Sequence, residues 1–574
     1  MNSKLRNNLM MDSLVITFVI GWPWLIYSYR FLFSGTFGFP SFGLDQDFYL
    51  ARARSSWHGI NPNSTFSPES LNLLQGQNGH LEDLYFRFFG NLGLASFELT
   101  FYSTVLLSIF LSVIAVRKLL TTFVSDRRLL DLGTLFVIGV DGLINFHFGL
   151  SHNFILNRWP IPSLHFALLF FFLYFLRKFS YSGISFVYLT AFVSLSAYLY
   201  FFTFQFVLAC ISVIALWELI SRQYANTIKV VLSTLVGLSI SFPMLRNLLF
   251  KDEFISSQDS LLHRYIYRVE LTRVPNISIS LLLLVAASIL FIWKFSNDKK
   301  EKYFVLILVC AVFIVENQQV ITGIQVQPGH VHWYITQPSF AFITFIIVSR
   351  TLENRKAMFK LLFGKTLTLF LVLSLFATLL MGFRALPAKN NSRLPADLKM
   401  VDNGYLYDPE QIISLRVLTE SNAKVYWHQF ALLSKGNFDE TVQLVALDLY
   451  VKHGFLRRDS LDQLLNDCIV TNATCNNYAH LVGAVADLEF YDSYPFFEQN
   501  SDARFIDSVN NINAKVFSQM VSIDSQGLKR YLDQNDVGSI VLPINSDYRM
   551  VRKLVDEGWS EKRFKTIYLV KRTR

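Results

Sequence analysis

Long apolar runs recur through the first two thirds of this chain, most of them near the length that crosses about 30 Å of hydrocarbon. They lie at roughly 13–33, 99–116, 129–146, 160–176, 183–199, 201–219, 227–245, 277–293, 303–315, 334–349 and 366–383. No soluble fold needs so many. Of the 574 residues, 52% are hydrophobic and only 17% charged, and the mean hydropathy is +0.35. The class this predicts is a polytopic α-helical membrane protein of about eleven spans. The stretch from Ile184 to Leu219 reads either as a tight hairpin of two helices or as one helix plus a re-entrant piece.

Basic residues set the orientation. Lys4, Arg6, Arg117, Lys118, Arg127, Arg128, Arg177, Lys178, Arg222 and Lys229 fall on one side, followed by Lys294 to Lys302 and Arg350 to Lys365. The opposite loops are longer, yet hold only Arg52, Arg54, Arg87, Arg158, Arg246, Lys251, Arg264, Arg268 and Arg273. The positive-inside rule then predicts a cytoplasmic N-terminus and, with an odd span count, an outer C-terminus. The net charge of +9 is explained by this topology, so nucleic acid is not an expected partner. The first span carries Trp22, Pro23, Trp24 and Tyr27 and lacks an Ala-x-Ala cleavage site after it, so it reads as a retained helix. The expected location is the bacterial plasma (inner) membrane, or the endoplasmic reticulum membrane if the source is eukaryotic.

The predicted organisation has two domains. Residues 1–384 form the membrane domain, with a first outer loop at 34–98 that is too long for a simple connector. Residues 385–574 form an outer α/β domain. Its helices are expected at Pro409–Thr419, Leu461–Asn466 and Tyr548–Glu557, and its strands at Ala423–Trp427, Gly538–Leu542 and Thr566–Val570. Cys210 and Cys310 fall in spans as small apolar residues. Cys468 and Cys475 either close a short outer loop as a disulfide or remain thiols. The chain shows no internal repeat, phosphate-binding Gly-Lys-Ser/Thr loop or zinc-type cysteine spacing. Asn63, Asn276, Asn390 and Asn472 each open a glycosylation-acceptor triplet on the outer side.

Candidate chemistry lies on the outer side. The first loop opens Gly43-Leu44-Asp45-Gln46-Asp47-Phe48-Tyr49-Leu50-Ala51-Arg52 and continues into a short predicted helix, Phe48–Trp57, ending at Gly59-Ile60-Asn61-Pro62. Asp45 and Asp47 can cap that helix, act as a general base toward a hydroxyl, or help hold a divalent cation such as Mg or Mn. A second polar group contains Asp141, His147, His152, Asn153, Asn157, Arg158 and His165. Ionisable groups in or beside spans are functional candidates by default, although hydrogen bonding between helices accounts equally for single histidines. A guanidinium such as Arg158 can grip a phosphate bidentately.

Five of the nine outer basic residues crowd into 246–275, where His263-Arg264-Tyr265-Ile266-Tyr267-Arg268 interleaves charge with aromatic rings. That suits a prenyl phosphate head group, or anchoring to anionic lipid. Farther on, Glu316-Asn317-Gln318-Gln319 leads to Gly329-His330-Val331-His332-Trp333-Tyr334. Amides, imidazoles and an indole are the set that hydrogen-bonds sugar hydroxyls and stacks on a sugar face. His330 and His332 alone make a weak metal site.

A first span followed by an outer loop with Asp at its start and a Gly-x-Asn-Pro ending resembles the GT-C superfamily of integral-membrane glycosyltransferases. The Asp-Gln-Asp-Phe-Tyr-Leu-Ala-Arg stretch is similar to Asp-Glu-x-x-Tyr of lipid A aminoarabinose transferases and to Asp-x-x-Phe of oligosaccharyltransferase catalytic subunits. Both registers place Asp45 on the family's catalytic aspartate, with Asp47 second. Gln46 departs from the usual acidic or proline neighbour. The C-terminal domain lacks the Trp-Trp-Asp-Tyr-Gly signature, which argues against protein N-glycosylation.

The resemblance implies transfer of a sugar from a polyprenyl-(di)phosphate-linked donor to a glycan, lipid or protein acceptor on the outer face. Asp45 would serve as base, Arg158, Arg264 and Arg268 would hold phosphate, and His152, Asn317, Gln318, His330, His332 and Trp333 would hold sugar or acceptor. A polysaccharide polymerase or ligase, or a flippase for lipid-linked sugars, is the alternative.

Overall fold

A computed structural model describes residues 3–34, 44–59, 80–147 except 94, and 161–249. It also describes 266–268, most of 275–353, 405–408, 424–425, 438–471, 503–543 and 549–572 except 565–566. The chain is mostly helical and divides into two compact units. One comprises Met1–Tyr49, Gln77–Arg246 and Val269–Ser392; the other comprises Leu50–Gly76, Asn247–Arg268 and Arg393–Arg574.

The first unit is a helical bundle. Its helices are α1 (Ser3–Ser34), the start of α2 (Leu44–Trp57), α3 (His80–Leu92), α4 (Phe97–Leu120), α5 (Arg127–His147) and α6 (Ile161–Lys178). There follow α7 (Gly183–Leu199), α8 (Phe201–Ile220), α9 (Tyr224–Leu249), α10 (Ile279–Leu290), α11 (Lys299–Glu316) and α12 (Gln337–Glu353). A π-helical turn, Phe291–Phe295, extends α10, and another, His332–Thr336, leads into α12. Ten of the eleven apolar runs lie on these helices; the run at 366–383 falls outside the described residues. Among the described residues, Phe97–Leu120, Phe201–Ile220, Tyr224–Pro243 and His332–Leu352 are long and apolar enough to cross a membrane. Gly183–Leu199 and Ile279–Phe295 are apolar but shorter.

Local chemistry sets the helix ends. Ser96 caps α4 by accepting from the Leu99 amide at 3.2 Å, Ser278 caps α10 through Leu281 at 3.1 Å, and Asp298 caps α11 through Lys300 at 2.9 Å. Each cap satisfies an amide that has no partner within its helix. The ambiguous run from Ile184 to Leu219 is two helices. Tyr200 separates them with an extended backbone (φ −157°, ψ 120°), and α7 then packs on α8.

Within the bundle α4 packs on α1 and α6, α8 on α11, and α12 on α5 and α10. Phe123, between α4 and α5, sits at the meeting point. Its ring lies 5.6 Å from that of Phe342, 5.7 Å from Phe304 and 6.4 Å from Phe291.

Basic residues gather at one end. Arg117, at the close of α4 and 1% exposed, pairs with Asp12 at 3.1 Å and Asp131 at 2.8 Å. Arg177, at the close of α6, pairs with Asp298 at 3.0 Å and lies over the Phe123 ring. Arg350, at the close of α12, reaches Glu301 at 3.0 Å. Glu316 lies on α11 fifteen residues after Glu301, hence about 22 Å along the helix at ~1.5 Å per residue, at the opposite end.

The second unit contains a five-stranded sheet. Its strands are β1 (Tyr405–Tyr407), β2 (Lys424–Val425), β3 (Val537–Pro543), β4 (Ser560–Arg563) and β5 (Ile567–Lys571), in the order β2-β1-β3-β5-β4. β1 runs parallel to β2 and β3, whereas β5 is antiparallel to β3 and β4. Helices α13 (Phe438–His453), α14 (Arg458–Thr471), α15 (Ala503–Gln526), α16 (Leu528–Gln534) and α17 (Arg549–Asp556) accompany it. Val445, Leu461, Ile512, Val516, Met520, Ile540, Val541 and Leu542 are buried.

The three expected strands have counterparts in β2, β3 and β5, and two expected helices lie in α14 and α17. Pro409–Thr419 is outside the described residues. The long helices α13 and α15 and the short strands β1 and β4 are additions to the sequence expectation.

Candidate functional site

The polar cluster with the most buried chemistry occupies the bundle end away from the basic network. Glu316 is the last residue of α11 and is 2% exposed. It accepts a hydrogen bond from Ser278 Oγ at 3.1 Å, at the start of α10, and another from Thr336 Oγ1 in the turn before α12. Nδ1 of His332 stands 3.8 Å from its Oε1. Three helix termini therefore meet at one carboxylate, and among the described residues no lysine or arginine pairs with it. Hydroxyl donors and nearby helix N-termini offset the cost of burying that charge.

Amides extend the cluster. Asn317 donates Nδ2 to the Phe313 carbonyl at 3.0 Å, and Gln205 of α8 donates to Gln318 Oε1 at 2.8 Å. Nε2 of Gln337 lies 3.2 Å from Nε2 of His332, and Ser280 Oγ lies 3.4 Å from the same nitrogen. Three buried side-chain amide oxygens have no hydrogen-bond partner among the described residues: Oε1 of Gln205, Oδ1 of Asn317 and Oε1 of Gln337. Leaving such an acceptor unsatisfied costs about 1–3 kcal/mol, so a ligand or water that donates to them gains that much. Near them His165, fully buried on α6, bonds to Thr203 Oγ1 and packs against the Tyr200 ring at 4.7 Å.

Asn317 and Gln318 directly follow Glu316 in the chain, and His332 and Trp333 lie in the turn whose His332 and Thr336 face that carboxylate. Trp333 directly follows His332 in the π-helical turn and is partly exposed. His152, Arg158, Arg264 and His330 lie outside the described residues. Arg268 ends a short extended segment, Ile266–Arg268, whose side chains are not described. Asp45 and Asp47 lie on α2, which begins at Leu44 rather than at the expected Phe48. Both aspartates are therefore inside the first helical turn, where free amides and the helix dipole favour carboxylates. Their side chains, like those of Asp141 and His147, are not described.

Sequence reasoning passed over Glu316, Gln337, Gln205 and Ser280 as site residues. For Glu316 a signal existed, since an ionisable group closing an apolar run is a functional candidate. The other three look like ordinary polar residues of helix ends until their neighbours are known.

A divalent cation has no described ligand set, because no three His, Cys, Asp or Glu side chains come together among the described residues. Cys210 and Cys310 are free thiols on α8 and α11. Cys468 lies on α14 without a described side chain, and Cys475 is outside the described residues.

No protein-family model matches the chain, and neither a curated protein nor a solved structure matches it.

Proposed function

We propose that this protein is a membrane glycosyltransferase of the GT-C type. It moves a sugar from a polyprenyl-(di)phosphate-linked donor to a glycan, lipid or protein acceptor on the extracytoplasmic face. The proposal includes the full count of about eleven spans, a cytoplasmic N-terminus and an outer second unit. One observation carries it most: buried amide oxygens of Gln205, Asn317 and Gln337 stand unsatisfied around Glu316 and His332, at the end opposite the basic network. A sugar supplies several hydroxyl donors at once, and Trp333 offers a ring face beside them.

In this reading an acceptor hydroxyl attacks the anomeric carbon as the bond from that carbon to the phosphate oxygen breaks. The lipid phosphate leaves with the bonding electron pair. Asp45, with Asp47 as second choice, acts as the general base that takes the hydroxyl proton, and Arg158, Arg264 and Arg268 are the phosphate-holding candidates. Electrostatic stabilisation of the departing charge is the principal catalytic effect expected of them.

The test is sugar transfer by membranes carrying the full chain, supplied with a panel of radiolabelled polyprenyl-phosphate and polyprenyl-diphosphate sugars. Transfer by the native protein, lost in Asp45→Asn at equal protein level, supports the reading. Movement of the donor across the bilayer without bond exchange would replace it with a flippase.

A further inference from the structure

At the bundle end away from Glu316, a second buried carboxylate has no cation against it among the described residues. Glu218, near the close of α8, is 7% exposed. Tyr181, in the turn between α6 and α7, donates to its Oε1 at 2.5 Å, and Asn226 of α9 donates Nδ2 to its Oε2 at 3.0 Å. These two bonds leave a lone pair on each oxygen, and a buried carboxylate is costly until a cation joins it. The Tyr303 hydroxyl of α11, two residues after Glu301, is buried beside that of Tyr181 with no well-formed hydrogen bond of its own. The Tyr303 ring lies 5.5 Å from that of Trp217, the residue before Glu218. A carboxylate, phenol oxygens and an indole therefore gather where α8 and α11 meet the α6–α7 turn.

The rim of this cluster is apolar on one side and basic on the other. Leu216, Trp217, Leu219 and Ile220 are exposed at the end of a helix long and apolar enough to cross a membrane. Arg222, in the turn after α8, and Lys229 of α9 are exposed cations with no ion pair among the described residues. Lys229 follows Asn226 by three residues, so it shares the helix face that Asn226 turns toward Glu218. We propose that this site binds the primary ammonium of an aminophospholipid headgroup, with Arg222 and Lys229 meeting its phosphate. A primary ammonium carries three N–H donors, which Glu218 and the Tyr303 hydroxyl oxygen accept, and the Trp217 face attracts the same charge. A trimethylated headgroup has equal charge but no N–H, so it leaves those acceptors unmet. The exposed leucines and isoleucine beside the carboxylate give the acyl chains an apolar surface, which selects a lipid over a soluble amine. Basic groups between helix ends suit lipid phosphates in the same way.

The experiment is native mass spectrometry of the detergent-purified full chain, offered equimolar phosphatidylethanolamine and phosphatidylcholine with identical acyl chains. The native protein is expected to retain phosphatidylethanolamine about 10-fold over phosphatidylcholine, the effect of hydrogen bonds between charged groups. Glu218→Gln should abolish that preference, and Tyr303→Phe should reduce it by about 3-fold. Arg222→Gln and Lys229→Gln should lower retention of both lipids equally, because both carry the phosphate. Glycerophosphoethanolamine, the headgroup without chains, should fail to displace the lipid at equal concentration. If Glu218→Gln does not fold, the native preference and its reduction in Tyr303→Phe decide. Equal retention of the two lipids by the native protein overturns the proposal, as does an unchanged preference in Glu218→Gln. Displacement by glycerophosphoethanolamine would overturn the assignment to a lipid and make the ligand a soluble amine.

Discussion

Gly237 of α9 lies so close to Val193 of α7 that a β-carbon on the glycine would stand 2.8 Å from the valine β-carbon and 3.0 Å from the Thr190 carbonyl oxygen. The absent side chain lets a ladder of hydrogen bonds form between the helices. Thr190 donates to the Ser233 carbonyl at 2.9 Å, Ser194 to Gly237 at 3.2 Å and Tyr198 to Ile240 at 2.9 Å. Residues 190, 194 and 198 repeat every four positions, so all three lie on one helix face. Small residues at helix contacts of this kind allow backbones within a membrane to approach.

Gly237→Ala is therefore expected to push α9 off α7 and lengthen all three bonds. The cost should be about 1–3 kcal/mol, the usual range for overpacking. Thermal denaturation of the detergent-purified full chain checks it. An unchanged midpoint would show that the two helices slide without penalty.

Glu301 is expected to be among the least replaceable carboxylates at the basic end. Its side chain is 8% exposed, accepts from Ser296 at 3.1 Å and Arg350 at 3.0 Å, and lies 3.7 Å from Arg177. Glu301→Gln keeps the shape but leaves the two guanidiniums facing a neutral group. A loss of about 3 kcal/mol is expected, in the range for breaking a buried pair from one side. A double-mutant cycle with Arg350→Met measures the part due to the pairing.

Asp298 gives a pH-dependent prediction. The Lys300 backbone amide, and then the Arg177 guanidinium, hold its carboxyl below the usual carboxylate range. A carboxyl lowered in the folded state stabilises fully above its unfolded value, near 3.9, and that contribution is lost as pH falls through the folded value. Asp298→Ala should cost about 1 kcal/mol at pH 7, the typical value of an N-cap. The gap between its unfolding midpoint and that of the native chain should shrink once pH drops below about 4.

What the sequence determined by itself is the local architecture of the first unit. The hydrocarbon-length runs anticipate ten helices, because an apolar segment of that length satisfies its backbone internally whatever surrounds it. The polar run after Val315 and the histidine–tryptophan pair at 332–333 were legible as concentrations of hydrogen-bonding side chains for the same reason: side-chain type is a local property. Short β1 and β4 were not legible, since three or four residues carry too little pattern to separate a strand from a loop. Helix α15 carries a 3,4-spaced apolar series, from Val509 through Ile512, Val516 and Met520 to Ile523, the pattern of a helix with one apolar face.

Only the tertiary structure decided that Glu316 belongs with Ser278, His332 and Thr336, and that Gln205 reaches Gln318. Those partners lie up to 113 positions apart in the chain, and nothing in their spacing announces the meeting. A hydrogen bond depends on where two helix ends arrive. That depends on the summed packing of every helix between them, down to the missing side chain at Gly237.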